Sequence, residues 1–139
     1  MKKLFFLLFL FNLFFSLSAQ EKPKQIQTPK IITKLKLGKK INLKSKSLQF
    51  LKLVEDSRCP KYVSCVWEGQ AKVIVGVYEN DILVEEKLII IGAKGITPDS
   101  PKELLKQEEK AILGYNLSPY PVNDEKIPHK DYYLELLVK

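Results

Sequence analysis

From residue 31 onward the chain is built from short runs in which apolar and polar residues alternate, the two-residue repeat of a strand with one face in a core. Ile31 to Leu37 and Lys40 to Leu43 flank Gly38 in this way. Leu48 to Val54 carries Leu51 and Leu53 on one face and Leu48 and Phe50 on the other, the pattern of a central strand. The clearest run is Val66 to Tyr78, with Trp67, Ala71, Val73, Val75 and Val77 on one side and Glu68, Gln70 and Lys72 on the other. Gly69 inside it marks a bulge. Asn80-Asp81 predicts a hairpin turn into a second long strand, Ile82 to Ile91.

Further along, Ser100-Pro101-Lys102-Glu103 has the form of a capping box with proline at the first helical position, and it predicts one short helix through Glu-Leu-Leu-Lys-Gln-Glu-Glu. Strand character resumes over Ala111 to Leu117, with Leu113, Tyr115 and Leu117 on one face, and Pro119-Tyr120-Pro121 ends it. Tyr132 to Val138 closes the chain with Tyr132, Leu134, Leu136 and Val138 on one side. About seven strands and one minor helix predict an all-β fold, an antiparallel β-sandwich or open barrel.

Residues 1–19 lack this alternation. Lys2 and Lys3, an apolar run from Leu4 to Leu17, and Ser18-Ala19 before Gln20 have the three parts of a secretory signal. The run is shorter than the roughly 20 residues of a spanning helix and is broken by Asn12, so the expectation is cleavage after Ala19. No cysteine follows that point to take a lipid, and no membrane span is expected once the signal is gone. Residues 20–29 form a polar leader with two prolines, and 30–139 a single domain of ordinary size. The expected location is periplasmic or secreted.

Charge is unevenly divided. Residues 20–52 hold ten lysines and one acid, a balance of +9, whereas residues 53–139 balance at −4. Such a basic segment raises a nucleic-acid reading. Its lysines, Lys34, Lys36, Lys39, Lys40, Lys44 and Lys46, mostly alternate with Leu and Ile, as on the solvated face of an edge strand, where lysine discourages aggregation. No nucleic-acid partner is expected.

The densest chemistry lies in Asp56 to Ala71, which holds both cysteines, the only Arg and the only Trp. In an oxidising compartment, Cys59 and Cys65 predict a disulfide. Closing this seven-residue loop stabilises by roughly 2–2.5 kcal/mol on a chain-entropy basis. Asp56 or Ser57 can accept backbone N–H bonds to fix the turn, and Arg58 can bridge to Asp56 or Glu68. Trp67 is expected as a core anchor beneath the disulfide. The segment Asp-Ser-Arg-Cys-Pro, followed by Cys65, Trp67, Gly69 and Ala71, together with Gly114-Tyr115 and Pro119-Tyr120-Pro121, resembles a group of small exported bacterial proteins, some of them lipid-anchored. The likeness spans about Lys34 to Val138 and implies an envelope protein, with no activity attached.

Catalysis would have to recruit His129, the only histidine, or carboxylates among Glu55, Asp56 and Glu68, and no nucleophile, base and oxyanion donor are grouped around any of them. Oxygen ligands from Glu55, Asp56 and Glu68, or Cys59, Cys65 and His129 around a soft metal, lack a recognised ligand spacing. The expectation is therefore a non-enzyme without cofactor or metal. It is a binding or structural domain for an envelope protein or glycan, with Arg58, Lys61, Tyr62 and Val63 as the candidate binding loop and Asp56, Ser57, Trp67 and Gly69 as its supports. The alternative is a protease inhibitor presenting loop 59–65, anchored by Lys61 or Tyr62.

Overall fold

The computed structural model describes residues 32–139; the expected signal, 1–19, and the leader, 20–29, lie outside the described residues. Eight strands form two four-stranded antiparallel sheets, which makes the fold an all-β sandwich. One sheet has the order β1 (Ile32–Lys36), β8 (Tyr133–Val138), β7 (Lys110–Ser118), β6 (Lys102–Gln107). The other has the order β2 (Lys40–Leu43), β3 (Lys46–Asp56), β4 (Gln70–Glu79), β5 (Ile82–Gly92).

Alternation produces the core as expected. Ala71, Val73, Val75 and Val77 of β4 face inward beside Leu48 and Phe50 of β3, and Ile112, Leu134 and Leu136 come from the facing sheet. Each fully buried aliphatic stabilises by about 1.5–3 kcal/mol relative to exposure. Asn80 and Asp81 both take positive φ, 49° and 64°, in the two-residue turn that joins β4 to β5. Such a turn matches the twist of the strands it connects. At Gly38 the chain passes from one sheet to the other, and the Gly38 N–H donates to Phe50 O at 2.7 Å.

Three details differ from expectation. The segment predicted as a helix is the edge strand β6, and the sole helical element among the described residues is a 3-10 turn at His129–Asp131. A helix of seven or so residues gains little by itself, whereas β6 pairs with β7, and an irregularity between Glu103 and Leu105 lets the adjacent Leu104 and Leu105 both be buried. Gln107 then ties the tip to the other sheet, its amide accepting from Lys46 N–H at 3.2 Å and donating to Ser45 Oγ at 2.6 Å.

In β7 a register shift between Gly114 and Asn116 exchanges the faces, so Ile112 and Leu117 enter the core rather than Leu113, Tyr115 and Leu117 together. In β3 a shift between Phe50 and Lys52 brings Leu53 to the side of Leu48 and Phe50, and a second shift follows it, between Leu53 and Glu55. The strand is central, as its two apolar faces suggest, but Leu51 and Leu53 do not share a face across the first shift.

A clamped loop on a buried ion pair

β4 begins at Gln70, four residues later than the alternation suggests, and residues 57–69 form a loop outside both sheets. Its stems continue the β3–β4 ladder for one step. The Ser57 N–H donates to Gln70 O at 2.9 Å, and the Cys59 N–H donates to Glu68 O at 2.9 Å. Ser57 Oγ adds a bond to Gln70 O at 2.9 Å. Gly69 has φ +66°, and a Cβ there would lie 1.8 Å from Ser57 O, so only glycine fits where the stems close. The Cys59–Cys65 disulfide is formed, with Cα atoms 5.9 Å apart.

Beneath the loop lies the charged pair that holds it. Asp56 closes β3, and Arg58 turns back so that Nε donates to Asp56 Oδ1 at 2.8 Å and Nη2 to Oδ2 at 2.7 Å. Their side chains are 7% and 3% exposed. The same guanidinium reaches the other sheet, donating from Nη1 to Leu117 O at 2.6 Å and from Nη2 to Pro119 O at 3.0 Å. It also lies 4.9 Å from the centre of the Tyr120 ring. Tyr132 Oη completes the node by donating to Asp56 Oδ2 at 2.8 Å.

A buried ion pair of this kind holds only because nearly every donor is used. Among the described residues no buried side-chain nitrogen or oxygen lacks a partner. Burial pushes the Asp56 carboxyl up, but the hydrogen bonds and charge of Arg58, with help from Tyr132, outweigh it and hold the group below its ordinary value. Burial, followed by the adjacent Asp56 carboxylate, raises the Tyr132 phenol to about 12. The node therefore keeps one fixed protonation state, a carboxylate and a neutral phenol, across the physiological range.

Arg58 is thus a footing, not a member of the presented surface, because a guanidinium with five donors is drawn into the gap between sheets where carbonyls await it. Lys61, Tyr62 and Val63 are exposed, as expected of a presented loop. The Lys61 and Tyr62 N–H groups donate to Pro121 O at 2.9 Å and Val122 O at 3.4 Å, so the loop leans on the segment after β7. Tyr120 Oη also donates to Cys59 O at 2.9 Å.

Trp67 overturns the expectation of a core anchor: it is 81% exposed, beside Val66 at 91%. Its parity with Ala71 carries no structural meaning, since the positive φ at Gly69 interrupts the strand between them. Val66 and Trp67 stand over an open groove of about 510 Å³ completed by Gly69, Ala93 and Lys94. Tyr62, on the same loop, is itself 73% exposed, so the loop carries three large exposed apolar side chains above a polar footing.

A second cleft of about 410 Å³ is lined by Asp56, Arg58 and Tyr132 of the node together with Pro121 and His129. His129 is exposed on the 3-10 turn. Among the described residues no three His, Cys, Asp or Glu side chains converge as a metal site, and no helix is long and apolar enough to cross a membrane. The roles of Tyr132, Tyr120 and the Leu117 carbonyl are not visible in the sequence. The one hint is a tyrosine heading the otherwise aliphatic run Tyr132, Leu134, Leu136. Set against protein-family models, curated proteins and solved structures, the chain matches none, and the site itself has to carry the function.

Proposed function

We propose that the protein is an exported, non-catalytic binding domain that engages an envelope protein or glycan through the exposed apolar side chains of loop 57–69, chiefly Tyr62, Val66 and Trp67. The observation that carries this reading is the exposure of Val66 and Trp67 on a loop whose backbone is clamped by a disulfide, an Arg58–Asp56 pair and five main-chain bonds. Leaving a tryptophan in water offsets folding stability, and holding it still lowers the entropy lost on binding. Rigid aromatic residues of this kind dominate binding energies at protein surfaces. The disulfide and the signal-like first 19 residues support an oxidising location outside the cytoplasm.

The inhibitor reading has less support. A substrate-like inhibitor segment lends its backbone to the protease as an added strand, and the Lys61 and Tyr62 N–H groups are already donated to Pro121 and Val122. Trp67 is the only tryptophan, so its emission reports the loop alone. In the folded protein the emission maximum is expected at the wavelength of water-exposed indole. Trp67→Ala with Val66→Ser should abolish capture of the retained envelope component while leaving the melting temperature unchanged. Equal capture by this variant would refute the proposal.

A further inference from the structure

We propose that the outer edge of β5 is a self-association surface, on which a second copy of this chain pairs antiparallel, strand to strand, about a two-fold axis at Glu86. An edge strand presents unpaired backbone groups, and proteins ordinarily blunt such edges by shortness, lysines or bulges. Three of the four edges here are blunted. β1 has five residues with Lys34 and Lys36, β2 has four with Lys40, and β6 has six, with Lys102, Lys106 and an irregularity in its ladder. β5 differs in length and exposure: it has 11 residues, Ile82, Leu83, Val84 and Leu88 are exposed, its one lysine, Lys87, is turned toward β6 and donates to Leu104 O at 3.1 Å, and its one ladder irregularity is confined to the Leu83–Glu85 end.

The direction of its backbone groups is readable. Ile96 N–H donates to Ile90 O at 2.8 Å, and Gly92 N–H donates to Ile96 O at 3.0 Å, both on the side away from β4. The β4–β5 ladder is regular from Glu85 to Gly92, and backbone groups alternate sides along a strand. Glu86 and Leu88 therefore aim their N–H and C=O outward, where among the described residues no strand pairs with them. Connection 93–97 covers only the Ile90–Gly92 end.

Charge selects both the occupant and the register. Glu85 and Lys87 share a face and sit 3.4 Å apart as an ion pair. With the axis at Glu86, Glu85 of each copy stands opposite Lys87 of the other, within the stretch where the ladder is regular. Moving the axis by one residue sets Glu85 on Glu85 or Lys87 on Lys87 and leaves Glu86 facing an aliphatic side chain. Directly opposed unlike charges stabilise a strand pair and like charges destabilise it. Of these three registers the Glu86 one alone sets both Glu85–Lys87 pairs across the seam, at the cost of one Glu86–Glu86 approach on the axis.

Sedimentation velocity of the purified protein up to about 1 mM tests this. The wild type should show a concentration-dependent dimer. Glu85→Lys alone and Lys87→Glu alone should each weaken it about tenfold, and an equimolar mixture of the two variants should dimerise again, because each restores the other's complement. Leu88→Lys, an exposed change that leaves the fold intact, should weaken it as well, and Glu86→Gln should strengthen it. A wild type that stays monomeric throughout, or a dimer indifferent to Leu88→Lys and not recovered in the mixture, would overturn the proposal.

Discussion

Loop 57–69 and the edge of β5 both place aliphatic or aromatic side chains in water, yet their backbones are in opposite conditions. In the loop, the N–H groups of Ser57, Cys59, Lys61, Tyr62 and Val63 are all donated within the chain. Along β5 the groups of Glu86 and Leu88 face outward with no strand beside them among the described residues. A partner of the loop is thus selected by side-chain shape, whereas a partner of the edge has to be a strand itself. Exposed apolar area alone does not define an interface; the hydrogen-bonding state of the backbone beneath it decides what kind of molecule can bind.

The sharpest way to break this contrast is to remove the footing of the loop. Asp56→Ala leaves the Arg58 guanidinium buried without its counter-charge, a change expected to cost about 3–5 kcal/mol in urea denaturation and to unfasten β3 from the ends of β7 and β8. A loss below about 1 kcal/mol, the scale of a surface ion pair, would show that the node does not hold the loop. The β5 edge should keep its behaviour in the molecules that remain folded, since Glu85, Glu86 and Leu88 take no part in the hydrogen bonds of the node.

Opening the clamp is a milder intervention. Cys59→Ser should lower stability by about 2 kcal/mol with the β-sheet circular dichroism retained. Trp67 emission should stay where it is, because the indole is in water before and after. A blue shift in this variant would mean that the disulfide is what keeps Trp67 out of the core.

The smallest effect is the titration of the node. The Tyr132 phenol keeps its proton to about 12 in the folded protein and to about 10 when unfolded. The unfolded chain therefore loses this proton first as pH rises, and the stability it provides, full below pH 10, fades between about pH 10 and 12. Asp56 has the opposite sign: its depressed value stabilises the fold above the ordinary carboxylate range, and the contribution fades as pH falls through the folded value. Tyr132→Phe should cost about 1 kcal/mol at neutral pH and flatten the alkaline part of a stability profile against pH. An alkaline slope unchanged by the substitution would place its origin in another tyrosine or in the lysines.

Much of the fold is legible in the sequence because burial on one side of a sheet imposes a two-residue period that a reader can follow without coordinates. The β4 valines, the Asn80-Asp81 turn and the inward Leu134 and Leu136 all follow from it. So does part of the loop's local chemistry: the closely spaced cysteines predict the bridge, while Arg58 is left with Asp56 or Glu68 as partner until the fold pairs it with Asp56. A count of charges likewise separates a basic segment, 20–52, from an acidic remainder, 53–139.

Distant partners take over wherever alternation is interrupted or outweighed. Residues 102–107 have the composition of a helix and become β6 because the edge of β7 offers them a ladder and a core for two adjacent leucines. Register shifts in β3 and β7 exchange faces that parity alone assigns wrongly. Trp67 shares the parity of the core valines and stands in water, because one glycine with positive φ ends the strand before reaching it. Arg58 sits in a segment that reads as exposed and is buried, because the carbonyls that fill its donors belong to residues 117 and 119, about sixty positions along the chain. Periodicity is a local property that records which residues want the core. Which backbone groups meet across the sandwich is a global one, and in this protein it determines which side chains are left for a partner.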